Sequence, residues 1–178
     1  SPSAMQRLYH HEGDKASARA AEKFGTFYSM STMATSSIEE IANISNGPKL
    51  FQLYIHKDQA LTDNLIDRCK NYGFKALCLT VDTVVAGNRE RDHRWGFTTP
   101  PKLTMKSIMS FMTHPKWSLN YLTHEKFQLA NVAHFTKKGS SIAKGVMEYI
   151  NEQYDPAMNW KDAEYVVKKW GGPFALKG

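Results

Sequence analysis

Short apolar runs alternate with amphipathic helical stretches along most of this chain, and that alternation constrains the fold more than any other feature. Tyr28 to Met30, Leu50 to Ile55, Ala76 to Val81 and Phe174 to Leu176 are short and apolar enough for strands buried on both faces. Helix signals stand between them. Asp14 to Phe24 is alanine-rich and closes on Gly25. Ser36, with Glu39 three residues on, makes a capping box ahead of Ile38, Ile41 and Ile44. Asp58 opens a helix carrying Leu61, Leu65, Ile66 and Cys69 on one face and ending at Gly73. Asn159 with Asp162 opens another, which turns Ala163, Val166, Val167 and Trp170 inward before the Gly171-Gly172-Pro173 stop. Strand–helix alternation at this pace predicts an α/β fold of βα units around a parallel sheet.

The rhythm breaks between Thr83 and Met158, which read as a long insertion, residues 83–158. It carries Pro100-Pro101, a Met- and aromatic-rich stretch from Met105 to Leu122, and a small-polar segment at Gly139-Ser140-Ser141. Nine Lys/Arg against three Asp/Glu lie between Thr83 and Lys138, so the whole formal net charge of +6 sits on this excursion. Such charge admits an anionic partner. No aromatic-basic strand platform or nucleic-acid motif accompanies it, and nucleic acid is not expected. Hydrophobic content of 42% excludes a disordered or collagen-like chain. No apolar run approaches the roughly 20 residues of a membrane span. Cys69 and Cys78 read as reduced thiols of a cytoplasmic protein rather than a disulfide framework. The chain begins at Ser1 and ends on a strand at Gly178, and the expectation is a piece of something longer.

Polar residues gather toward the carboxyl ends of the apolar runs: Ser29 and Ser31, Gln52 and Tyr54, Thr80 and Asp82, and Lys177. Parallel α/β folds place their binding sites at those ends. Gln and Thr offer amide and hydroxyl groups to the edge of a heterocycle, and Lys offers a positive charge to an electron-accepting ring. Asp82 suits the orientation of a histidine base, and Arg89 suits two-pronged recognition of a carboxylate. The seven histidines show no metal-ligand spacing, so no metal site is expected.

These residues occur within longer matching stretches. They include Ser1-Pro2-Ser3-Ala4-Met5, His10-His11-Glu12-Gly13, Ala18-Arg19-Ala20-Ala21, and Ser31-Thr32-Met33-Ala34-Thr35-Ser36-Ser37-Ile38-Glu39-Glu40. Phe51-Gln52-Leu53-Tyr54, Leu79-Thr80-Val81-Asp82, Asn88-Arg89-Glu90-Arg91-Asp92 and Lys177-Gly178 complete the set. Together they resemble the FMN-dependent α-hydroxy acid dehydrogenases and oxidases, essentially end to end. The resemblance implies a (β/α)₈ barrel, of which residues 1–178 supply the end of strand 1 through strand 5, the N-terminal half; a whole barrel takes about 250 residues. It implies FMN as cofactor, with Ser3 and Ala4 against the flavin and Ser31, Gln52 and Thr80 bonding its ring or ribityl edge. Lys177 would stand at the N1/O2 edge and stabilise the reduced ring. Tyr54 would bond the substrate, Arg89 its carboxylate, and Asp82 the catalytic histidine.

That histidine, in the family's S-N-H-G-x-R-Q-like segment, follows the point where this chain stops, so the chain alone is expected to be inactive. The expected reaction of the intact protein is oxidation of a small L-2-hydroxy acid. Met33 stands where plant glycolate oxidases carry a large Trp, and with Ala4 it favours L-lactate; glycolate and mandelate remain alternatives. Thr113-His114-Pro115-Lys116-Trp117 and Asn159-Trp160-Lys161-Asp162 look most like the membrane-associated bacterial lactate and mandelate dehydrogenases. Ile108, Met109, Phe111, Met112 and Trp117, flanked by Lys102, Lys106, Lys116 and Lys126, have the make-up of an interfacial helix. Residues 102–126 are therefore expected to meet a membrane surface, peripheral on the inner face of the plasma membrane. A packed Met-rich loop is the other reading. The non-enzyme alternative is an inert half barrel whose open strand edges favour a homo-oligomer.

Overall fold

Several helices start at a side-chain cap, and several stop at a glycine. The computed structural model describes residues 1–82, 90–95, 104–125, 127–133 and 157–178. A short 3₁₀ turn, Gln6–Leu8, leads into α1 (Gly13–Lys23), β1 (Tyr28–Ser31), α2 (Ile38–Ile44) and β2 (Lys49–Leu53). Then follow α3 (Gln59–Asn71), β3 (Ala76–Thr80), α4 (Glu90–Trp95), α5 (Met105–Thr113), α6 (Pro115–Thr123), α7 (Trp160–Trp170) and β4 (Phe174–Lys177). Asp58 caps α3 by accepting from the Ala60 N–H at 3.0 Å. Asn159 and Asp162 form the reciprocal capping box of α7, and Gly171 closes that helix in the left-handed region at φ 70°.

The four strands are parallel and lie in the order β1-β2-β3-β4. An isolated parallel bridge from Ser3 to Met30 adds the end of a further strand beside β1. This is the partial (β/α)₈ barrel that the resemblance implies, from the end of strand 1 through strand 5. Register sorts the side chains. Met30, Phe51, Leu77 and Phe174 form one row, and Leu53, Leu79 and Leu176 belong to the next row of the same outer face. The helices cover that face with Ile38, Ile41, Leu61, Leu65, Ile66, Cys69, Ala163, Val166 and Trp170. Burying such side chains stabilises by about 1.5–3 kcal/mol each. Cys69 and Cys78 are free.

Two sequence expectations shift. The capping box of α2 is Ser37 with Glu40, not Ser36 with Glu39. Ser36 is instead fully buried and donates its backbone N–H to Asp14 at 3.2 Å. Glu39 is freed for a bidentate pair with Arg68, both contacts at 2.6 Å. Val167, expected inward, is 41% exposed. With Trp160, Phe174 and Leu176 it lines an open cleft of about 540 Å³ on the outer side of β4, away from the strand ends.

The excursion after β3 returns to the body. Leu129, Ala130 and Val132 are buried, and the Asn131 side chain accepts from the Ile38 N–H at 3.0 Å. Asn131 thereby satisfies an N-terminal donor of α2 from 93 residues away. The Met- and aromatic-rich stretch forms the two helices α5 and α6, broken at His114-Pro115. Phe111 stacks on Trp117 and Trp117 on Tyr121, with centroids 5.3 and 5.2 Å apart. Met105, Ile108, Met109, Met112, Leu119 and Leu122 are exposed. Among the described residues no helix is long and apolar enough to cross a membrane.

Candidate active site

The inner face of the sheet carries the polar residues that the strand alternation sets apart. Ser31 is paired in register with Gln52, Gln52 with Cys78, Cys78 with Ala175, and Thr80 with Lys177. Side chains in register share a face, so these residues meet across the sheet. Ser31, Gln52 and Thr80 are each nearly sequestered from solvent. They form one hydrogen-bonded row. The Met33 N–H donates to Ser31 Oγ at 3.2 Å, and Ser31 Oγ donates to Gln52 Oε1 at 3.0 Å. Gln52 Nε2 then donates to Thr80 Oγ1 at 2.8 Å. Burial requires such partners, and the row supplies them strand to strand.

At the open end of the row Lys177 Nζ donates to Asp82 Oδ2 at 3.0 Å. That hydrogen bond is the main reason the Lys177 ammonium titrates above its ordinary value. Cys78, between Gln52 and Ala175, is pushed up by burial, against the pull of the Lys177 charge. Tyr54 follows β2 and is held by its backbone. Its N–H donates to Thr32 Oγ1 at 3.2 Å, while that hydroxyl donates to the Gln52 carbonyl at 2.7 Å. Thr32 thus stitches the end of β1 to the chain leaving β2. Sequence reading missed Thr32 because it falls on the outer-facing parity; a polar residue at that parity was the available signal.

Ser31, Gln52, Thr80, Lys177 and Asp82 are brought together as one polar arrangement. Ser3 and Ala4 are exposed and lie along the outer edge of β1, where Ser3 bridges to Met30. Met33 is 6% exposed and belongs to the core cluster, its carbonyl accepting from the Met5 N–H at 3.1 Å. Arg89, Lys102 and Lys126 lie outside the described residues.

A protein-family model described as FMN-dependent dehydrogenase matches residues 1–178. Over 177 residues the chain is 36% identical to glycolate oxidase 1 of Oryza sativa subsp. japonica, covering 99% of this chain and 42% of that protein. It is 33% identical to L-lactate dehydrogenase of Pseudomonas entomophila over 178 residues, covering 99% of this chain and 46% of that protein. The crystal structure of the monotopic membrane protein (S)-mandelate dehydrogenase matches with a TM-score of 0.91 at 30% identity, over 99% of this chain and 46% of that one. The chain spans less than half the length of these relatives.

Proposed function

The chain belongs to the FMN-dependent dehydrogenase family, and from that premise we propose that the intact protein oxidises an L-2-hydroxy acid to the 2-oxo acid, with L-lactate to pyruvate the favoured pair. FMN is the family's cofactor. The observation that carries the reading is the Ser31–Gln52–Thr80 row ending beside Lys177 and Asp82 at the carboxyl end of four parallel strands. It fits the flavin. A flat heterocycle edged with carbonyls and ring nitrogens needs a line of amide and hydroxyl groups with a cation at one end, and the row presents both.

In this reading Ser31, Gln52 and Thr80 hold the ring or ribityl edge, Ser3 and Ala4 flank it, and Lys177 places positive charge beside its polar rim. When bound, FMN supplies the two-electron acceptor. Tyr54 orients the substrate, Met33 and Ala4 bound its side chain, and Arg89 clamps its carboxylate. The hydroxyl proton passes to a histidine base contributed by chain beyond residue 178, which Asp82 holds in place. Lacking that base, residues 1–178 alone do not turn over. They form the N-terminal half of the barrel, with 83–158 as an insertion in it.

The second element of the proposal concerns place. The α5–α6 pair docks the cytoplasmic protein on the inner face of the plasma membrane. The exposed Met105, Met109, Met112 and Leu122 beside Lys116 support this, as does the monotopic (S)-mandelate dehydrogenase. The deciding experiment records the flavin visible band of the full-length protein as L-lactate, glycolate and (S)-mandelate are added in turn. Fastest bleaching is expected with L-lactate. Preference for glycolate or mandelate would overturn the substrate assignment, and no bleaching with any of them would overturn the activity.

A further inference from the structure

Among the described residues the α5–α6 pair meets the α/β body at its base, where three histidines form a row. His10 and His11 lie in the turn ahead of α1, and His124 follows α6. His11 stacks on His124 with ring centroids 4.0 Å apart and planes 29° apart, and His10 lies against His11 at 4.3 Å and 31°. Beside the row Trp117 Nε1 donates to the Leu8 carbonyl at 3.0 Å, and Arg7 pairs with Glu125. Arg7, Tyr9, His10, His11, Trp117 and Tyr121 enclose the small gap between pair and body.

The hydrogen bonds suit neutral rings. His10 Nδ1 accepts from the Glu12 N–H at 3.3 Å, so that nitrogen carries no proton. His124 Nδ1 donates to the Asn120 carbonyl at 2.9 Å. His11 Nδ1 is buried with no hydrogen-bond partner, so a proton there would be a stranded donor. The charges that face the row are already matched. Glu12 pairs with Arg19, and Glu125 pairs with Arg7 and lies 4.0 Å from Lys15. Glu40 also takes Lys15, at 2.7 Å. Among the described residues the carboxylates near the row are each already paired with a cation, which weakens what they offer to two or three imidazolium charges within 4–5 Å of one another.

We propose that His10, His11 and His124 are an acid-sensitive latch: neutral, they hold the α5–α6 pair on the body, and protonated they repel one another and release it. Burial, then His124 and His10, hold His11 below its ordinary value, against the opposing pull of Glu12. A group that binds its proton less readily when docked favours docking fully above pH 6.5. That contribution is lost as the pH falls below 6.5 toward the lowered value. The latch stands without a membrane; its use to govern lipid attachment rests on the docking proposed above.

Trp117 reports the docked state. Its quenching by acrylamide, taken as the difference between the protein and its Trp117→Phe variant, is followed from pH 7.5 to 5.5 without vesicles, with far-UV ellipticity monitoring the body. Quenching is expected to rise severalfold with a midpoint below 6.5 while ellipticity holds. His11→Phe and His124→Phe keep a stacked ring without a titrating nitrogen and are expected to stay closed to pH 5.5. His114→Gln, outside the row, is expected to open like the parent. Flat quenching in the parent, or an unchanged acid response in both Phe variants, would overturn the latch. Repeating the scan with phosphatidylcholine–phosphatidylglycerol vesicles separates the two proposals: quenching that switches without any vesicle binding would sink the docking and leave the latch.

Discussion

Asp14→Ala is expected to be the most damaging single truncation outside the apolar core. The Asp14 carboxylate is fully buried and gathers four donors: the Tyr28 hydroxyl at 3.0 Å, the Thr35 N–H at 2.8 Å, the Thr35 hydroxyl at 2.5 Å and the Ser36 N–H at 3.2 Å. It ties the first turn of α1 to β1 and to the segment that feeds α2. Burial, then the Asp14 charge, pushes the Tyr28 phenol far above its ordinary value, so it remains a donor wherever the chain folds. Alanine strands these groups. The Thr35 hydroxyl can rotate away, but the two backbone N–H groups and the phenol are fixed. At about 1–3 kcal/mol per stranded donor, taken near the low end, the loss is about 3–5 kcal/mol. That is a fifth or more of the stability of an ordinary domain, about 5–15 kcal/mol. Urea unfolding followed by far-UV ellipticity reads it directly. Tyr28→Phe supplies the second arm of a cycle: a loss of about 1 kcal/mol alone, and a gain of about 1 kcal/mol in the Asp14→Ala background, where it removes the stranded donor. A loss under about 1 kcal/mol for Asp14→Ala would refute the reasoning, as would an equal cost of Tyr28→Phe in both backgrounds.

Acid should expose two further groups. His56 is buried with both ring nitrogens unpartnered, and burial lowers it to about 4. It therefore favours the fold above pH 6.5 and ceases to do so as the pH falls toward 4. His56→Leu should remove about 3 kcal/mol of that acid-linked loss, read from urea midpoints between pH 7 and 4. Glu39 is held at about 2, chiefly by its hydrogen bonds to Arg68. Its contribution is whole above pH 4.5 and fades as the pH drops toward 2, so Glu39→Gln should flatten the stability profile in that window alone. For the helical pair, Met109→Glu with Met112→Glu should abolish co-sedimentation with anionic vesicles at unchanged ellipticity, whereas a vesicle-bound double variant would argue for another surface.

How far the chain could be read in advance follows from the range of the interactions. Strands, helices and their glycine stops were legible because each rests on residues within a turn or two of one another, as Asp58 with Ala60 and Asn159 with Asp162 show. The capping box of α2 was misplaced by one residue because Ser36-x-x-Glu39 and Ser37-x-x-Glu40 satisfy the same local pattern. The choice is made by Asp14, 22 residues away from Ser36, which claims the Ser36 N–H. Val167 obeys the helical period, yet it stays exposed beside Leu176 on the outer side of β4. At the site, Ser31, Gln52, Thr80, Asp82 and Lys177 were legible because polarity at strand ends is a period-two signal. Thr32, Asn131 and the histidine row were not, since each acts on a partner placed by the fold alone.

The head-to-tail order of the inner row gives it a polarity. Met33 donates to Ser31, Ser31 to Gln52 and Gln52 to Thr80, so every bond points the same way across the sheet. Each link sharpens the next, and the Thr80 hydroxyl at the terminus is left with its proton to give. A ligand approaching there meets a polarised hydroxyl donor next to an ammonium. The order of the bonds consequently fixes what the Thr80 end of the row presents, a donor, while the Lys177–Asp82 pair at that end presents both signs of charge.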